Sequence, residues 1–334
     1  MTSNPTPQRR RRSEGAAPEV VPEAKFSSYY GRQIVKPAPW TIEIPIYIFA
    51  GGLAAGSSML AAGAQLTGRP TMRRVGRLAA AGGLAVSLTA LVSDLGRPSR
   101  FLNMLRTVKL TSPMSVGTWL LSLYAAPASL AALDEIARML PTSRAASVRQ
   151  LLAMAGTIGG VAAGITAPPV AAYTAVLLSN TSTPSWHEAY RQLPFVFVAS
   201  AAAASGGLAM ALVPTREVGP ARRLAVTGAA VELLAERVME ESMGITAEPL
   251  QTGSGGKWMR AAKAFTIAGG IGAMVSRRRR WLSVLSGVSL LAGSFCTRMA
   301  VFQGGLASAK DPKYTVVPQR ERVERGEAVR YEGD

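Results

Sequence analysis

Apolar residues in this chain gather into long blocks rather than alternating with polar ones. The blocks run to roughly 18 to 25 residues, the length a helix needs to cross the hydrocarbon core of a bilayer. Eight can be drawn, at 42–67, 78–95, 114–133, 151–178, 193–213, 223–239, 261–275 and 281–302. The pattern predicts an all-α integral membrane protein with eight transmembrane helices over 40–303. A basic, Pro-rich tail at 1–39 reads as disordered, and 304–334 reads as a charged C-terminal tail. No apolar run closely follows the arginines at 9–12, so no cleavable signal is expected.

Several blocks carry internal marks. In the first, Gly52 and Gly56 are four residues apart, on one side of a helix, as close helix packing requires. A phosphate-cradling loop would need a preceding strand and a Lys-Ser/Thr ending, and neither is present. Pro127 predicts a kink in the third block. The fourth is too long for one straight crossing and holds Pro168 and Pro169. It reads as one tilted, broken helix with Tyr173 just past the break, or as two hairpinned half-helices. The stretch 180–191 reads as a polar loop holding Pro184, Trp186 and His187. The sixth block is the least apolar, with Glu232, Glu236 and Glu240 on one helix face.

Eight crossings return both termini to one side. The short connections opposite carry arginine clusters at 69–77, 138–149, 216–223 and 277–280. The excess of basic residues in cytoplasmic loops makes that side cytoplasmic and places the termini outside. The basic connection at 97–109 and the N-terminal tail run against this assignment.

The formal charge of +17 and pI of about 10.8 would point to nucleic acid in a soluble protein. Here the cations sit in tails and connections and no binding motif stands, so membrane lipid is the partner read and nucleic acid is not. Cys296 and His187 are single residues of their types among 334. An iron-sulfur cluster takes about four Cys ligands, a bis-histidine haem takes two His, and zinc takes several of both. Any redox role therefore falls to a mobile carrier or a partner's cofactors. Cys296 itself reads as a small buried hydrophobe.

Ionisable groups inside apolar blocks are the first candidates for function. Glu43 enters the first block, Asp94 ends the second, and Arg298 approaches the same side in the last. After Asp94 the chain breaks at Gly96 and Pro98 and turns basic, with Arg97, Arg100, Arg106 and Lys109. A carboxylate, an arginine and aromatics at one depth suit a quinone, whose carbonyls need donors and whose ring needs an apolar cleft. Tyr173 is a suitable donor, since a membrane tyrosine needs a partner for its hydroxyl. The structural alternative pairs Asp94 with Arg97 or Arg298 to fasten helices, and a basic loop on lipid headgroups is the plainest reading of 97–109. Glu232 and Glu236, with Arg298, suggest a proton path, or an acidic face turned to protein. His187 reads as an interfacial residue beside Trp186.

The residues Gly51-Gly52-Leu53-Ala54-Ala55-Gly56, then Asp94-Leu95-Gly96-Arg97-Pro98 with Phe101, then Ser112-Pro113-Met114-Ser115 with Gly117 and Trp119, resemble the polysulfide reductase membrane-subunit family of NrfD type. The run Tyr173-Thr174-Ala175-Val176-Leu177-Leu178-Ser179, with Pro184 and Trp186 after it, matches the family's fourth helix and following loop. The resemblance covers 40–303. It implies eight helices in two four-helix bundles, without haem or an iron-sulfur cluster of their own. It further implies a bacterial cytoplasmic (inner) membrane anchor that exchanges electrons between menaquinone or ubiquinone and an iron-sulfur, ferredoxin-like partner. That partner serves a molybdopterin catalytic subunit or a multihaem cytochrome, so the centre for the terminal substrate lies on another chain. By position the family's quinone site transfers to Glu43, Asp94, Arg97 and Tyr173. Where members often carry Tyr-Thr-Gly this chain has Tyr173-Thr174-Ala175, and Glu43 stands where some use other polar groups. Two rivals remain: a secondary transporter or ion-translocating protein, which the broken fourth helix and the intramembrane acids would suit, and a purely structural anchor.

Overall fold

The computed structural model describes residues 33–139 and 146–326. Among the described residues there are helices and no strands. The long helices are α1 (Glu43–Leu66), α2 (Pro70–Asp94), α3 (Pro113–Met139), α4 (Ala146–Ser179), α6 (Leu193–Leu212), α7 (Gly219–Ser242), α9 (Gly253–Val275) and α10 (Arg280–Lys310). Shorter ones are α5 (Pro184–Glu188), α8 (Glu248–Gln251) and α11 (Lys313–Glu324), and a 3-10 helix spans Pro98–Arg106. Residues 1–32, with the arginines at 9–12, and Arg144 lie outside the described residues.

Among the described residues six helices are long and apolar enough to cross a membrane: α1, α2, α3, α4, α6 and α10. The chain is a multi-pass membrane protein. The two blocks expected at 223–239 and 261–275 fold as long helices, yet α7 and α9 fall short of that apolarity. The reason lies in their composition. α7 carries Arg222, Arg223, Glu232, Glu236, Arg237, Glu240 and Glu241, and α9 opens on Lys257, Arg260 and Lys263.

α1 and α2 pack side by side, as do α3 and α4, and α4 also packs on α1. Further along, α6 packs on α7 and α10, and α9 on α10 and α7. α1 and α4 meet α6 where the two groups join. Small residues set these distances. A Cβ on Gly56 would lie 2.9 Å from the Ala201 carbonyl oxygen of α6, and one on Gly52 3.3 Å from the Ala201 Cβ. The glycine face of α1 is therefore the seam between the groups. At the α1–α2 turn Gly68 takes φ +66°, where a side chain would be strained. Pro70 then opens α2 with its φ already helical.

The expected break in the fourth block does not occur. α4 runs unbroken through Pro168 and Pro169. Each proline removes one main-chain hydrogen bond, and packing on α1, α3 and α6 keeps the helix on its path. α3 likewise continues through Pro127.

Residues 70–77 are helix, not loop, and Asp134 and Glu135 lie inside α3. Together they make a buried ion network. Arg77 Nη1 donates to Asp134 Oδ2 at 2.9 Å and to Glu135 Oε1 at 3.1 Å. Arg77 Nη2 donates to the Gly156 carbonyl of α4 at 2.9 Å and also meets Gln65 Oε1 of α1 at 2.5 Å. Arg73 reaches Glu135 at 2.6 Å and Arg138 reaches Asp134 at 2.8 Å. Across the same end, the Glu217 carboxylate accepts the Thr71 and Met72 N–H groups at 2.9 and 3.1 Å, capping α2 from the α6–α7 connection.

The segment 180–191 is not a solvated loop. It holds α5, and Trp186 is the largest fully buried side chain among the described residues. Its Nε1 donates to the Val301 carbonyl at 2.7 Å, and its ring stacks between Trp40 at 5.6 Å and Phe302 at 6.1 Å. His187 beside it is exposed. At the C-terminus α10 runs past 303 to Lys310. α11 follows, with Tyr314 buried and Lys313 Nζ 2.8 Å from Glu248 Oε2.

Candidate functional site

α1 starts and α2 ends at the same end of the molecule, so Glu43 and Asp94 meet there. Thr41 joins them. Its N–H and hydroxyl reach Asp94 Oδ1 at 3.3 and 2.9 Å, and the hydroxyl also touches Glu43. The expected alternative, Asp94 paired with Arg97 or Arg298, is not what forms. Arg97 is exposed and makes no hydrogen bond or ion pair among the described residues, and Arg298 lies elsewhere. One hydroxyl hydrogen cannot serve two carboxylates at once.

One turn inward the surroundings become apolar. Ile44 and Tyr47 follow Glu43, and Ala90 precedes Asp94, all in one buried cluster with Leu178 and Trp186. Tyr173 is half-buried against this cluster and also against a second one built on Tyr124 and Leu121. Its ring lies over Gly117 of α3, where a Cβ would fall 2.3 Å from a ring carbon. The Tyr173 hydroxyl has no hydrogen-bond partner among the described residues. A spare donor against an apolar wall suits a flat carbonyl-bearing ring.

Arg298, Glu232 and Glu236 gather at a second place. All three are buried, and the Arg298 guanidinium lies 4.2 Å over the Phe197 ring while its Nη2 donates to the Phe197 carbonyl at 2.9 Å. Thr297 donates to Glu232 at 2.8 Å. Glu240, on the same face of α7, forms an ion pair with Lys263 of α9 at 2.7 Å. Arg298 sits deep because α10 extends twelve residues beyond it. Thr41 and Thr297 were missed as candidates. Their only sequence signal is position, each within two residues of a singled-out charge.

Fold and site together define a multi-pass helical membrane protein with a polar cluster at one end and a buried charged centre further in. The chain belongs to the polysulphide reductase NrfD family, whose description matches residues 32–236. Comparison with curated proteins gives no match.

Proposed function

We propose that this chain is the membrane anchor and quinone-interacting subunit of a multi-subunit oxidoreductase. It exchanges electrons between the quinone pool and an iron-sulfur, ferredoxin-like partner, with the terminal chemistry on a molybdopterin subunit or multihaem cytochrome. Membership of the NrfD family supports the class. The observation that carries the site is the unpaired Tyr173 hydroxyl beside the apolar cluster that leads to Asp94 and Thr41. In this reading all eight long helices cross the bilayer as two four-helix bundles, α1–α4 and α6, α7, α9, α10. The termini and the Glu43–Asp94 end face outward from a bacterial inner membrane.

A bound quinone, menaquinone or ubiquinone, supplies two-electron, two-proton chemistry. The chain supplies its surroundings. Tyr173 gives a hydrogen bond to a carbonyl oxygen. Asp94, fixed by the Thr41 N–H, exchanges a proton at the ring, and the Thr41 hydroxyl passes it to Glu43 at the edge. Arg97 keeps a cation at the same end, offsetting the two carboxylates. The unbroken α4 withdraws one of the two features that favoured a transporter.

The test is quinol turnover in the assembled complex. Asp94→Asn should abolish or greatly slow it with assembly intact, and Tyr173→Phe should lower kcat by roughly a hundredfold. Unchanged turnover in Asp94→Asn would leave a purely structural anchor.

A further inference from the structure

The charged centre on α7 and α10 has an imbalance that its hydrogens expose. Four enclosed side-chain atoms there lack a partner among the described residues: Glu232 Oε2, Glu236 Oε2, and Arg298 Nε and Nη1. Glu232 accepts from the Thr297 hydroxyl at 2.8 Å, and the nearby Ser200 hydroxyl donates to Ser294 at 2.9 Å. Glu236 meets only Thr297 Oγ1, at 3.4 Å. That hydroxyl has one hydrogen, already given to Glu232, and can offer Glu236 only a lone pair. Two acceptors facing each other need a proton between them. Charge makes the same demand. Arg298 balances one carboxylate, and a second bare one in an apolar interior would be unpaired.

Access to this centre is lopsided. Toward the α6–α7 connection the helices close over a buried apolar cluster with Met210, Val213, Val218, Ala221, Ala225 and Leu290. The hydroxyls of Ser276, Ser283 and Ser286 in that region all donate to main-chain carbonyls. Toward the other end Glu236 is followed one turn later by Glu240, whose partner Lys263 is about a third exposed. Neighbours four apart on a helix have Cβ atoms about 5–6 Å apart, which side-chain rotation can bridge. The groups facing Glu236 are Glu232 and Glu240 of its own helix, Lys263 of α9, and Thr297 and Arg298 of α10.

We propose that Glu236 is a one-sided proton store. It is kept as the neutral acid, its O–H given to Thr297, and it exchanges through Glu240 and Lys263 with the face that carries Glu43 and Asp94, with no route to the opposite face. In the transfer the Glu236 O–H breaks and an O–H forms on Glu240, which releases Lys263. Glu236 is left as a carboxylate near Arg298, and the proton passes from Glu240 to water. Reloading reverses the steps.

The test needs no quinone, so it stands or falls apart from the proposed function. Infrared spectra of the full chain in lipid vesicles should show a protonated carboxylic acid in apolar surroundings. Glu236→Gln should remove that band, while Glu240→Gln keeps it. Exchange of the acid hydrogen in deuterated buffer should slow several-fold in Lys263→Met and in Glu240→Leu, and stay unchanged in Ser286→Ala on the closed side. Each variant is first shown to elute as the wild-type chain does. A band that survives Glu236→Gln, or exchange insensitive to both Glu240 and Lys263, overturns the proposal.

Discussion

Gly305 makes room for the Trp186 indole. A Cβ there would lie 2.0 Å from two ring atoms, and because the indole is closed in on both faces it cannot step aside. Gly305→Ala should cost about 1–3 kcal/mol or more by overpacking, read as a lowered unfolding temperature in detergent. Gly82→Ala on α2 meets nothing within 4 Å and should instead gain some of the roughly 0.8–1.0 kcal/mol by which alanine exceeds glycine in a helix. At Glu217 burial pushes the carboxyl up, but the Met72 and Thr71 N–H groups and the Thr71 hydroxyl outweigh it and hold it below its ordinary value of 4.5. A depressed carboxyl stabilises the fold above its unfolded value and loses that contribution as pH falls through the folded one. The stability gap between wild type and Glu217→Ala should thus be about 1 kcal/mol near neutrality and close in acid. At this scale the sequence was half legible. Glu43, Asp94 and Tyr173 announce themselves as polar groups in apolar runs, while Thr41 does not, since a threonine at a helix start is unremarkable until its neighbours in space are known. Arg298 was placed too near the end because the glycines and serine of 303–308 look like the close of a span, whereas α10 continues to Lys310.

Among the elements, α2, α3 and α4 are bound by charge as well as by packing. Arg77, Asp134 and Glu135 are each buried, and Arg77 reaches three helices besides its own. Removing one member strands the others in the interior. Arg77→Met should therefore destabilise by about 3–5 kcal/mol, and should do so without altering quinol turnover in the surviving folded fraction. Thermal unfolding followed by helical dichroism checks the first part and turnover per folded molecule the second. The blocks of apolar sequence gave the long helices their order, because a span's length is fixed by the bilayer, and six of those helices have the length and apolarity of a span. They failed at helix ends. A run of Arg with two acids further along reads as loop by composition, and only mutual neutralisation lets α2 and α3 carry those charges inward. They failed again at Pro168 and Pro169, where local rules end a helix and surrounding helices hold it straight.

For the whole molecule, orientation is the property that ties the pieces to a membrane. In a chain with Cys296 replaced by alanine, single cysteines at Ser99 and Arg216, both exposed, should react with an impermeant maleimide from opposite sides of sealed vesicles. Ser99 should be reached from outside. Labelling of both from one side would remove the crossing pattern and with it the placement of Glu43 and Asp94. The grouping of helices was not readable from hydropathy, which sees each span alone. It depends on which small residues face each other, as Gly56 faces Ala201 at the seam.

The Trp40–Trp186 stack gives the protein an optical reporter. Two indoles at 5.6 Å, one shut away from water, couple their near-ultraviolet transitions and emit to the blue of the exposed tryptophans. Trp40 lies on the stretch leading into α1, three residues before Glu43. A protein seated there would change the pair's dichroism and emission, so occupancy of this end can be followed by light alone, with no added label.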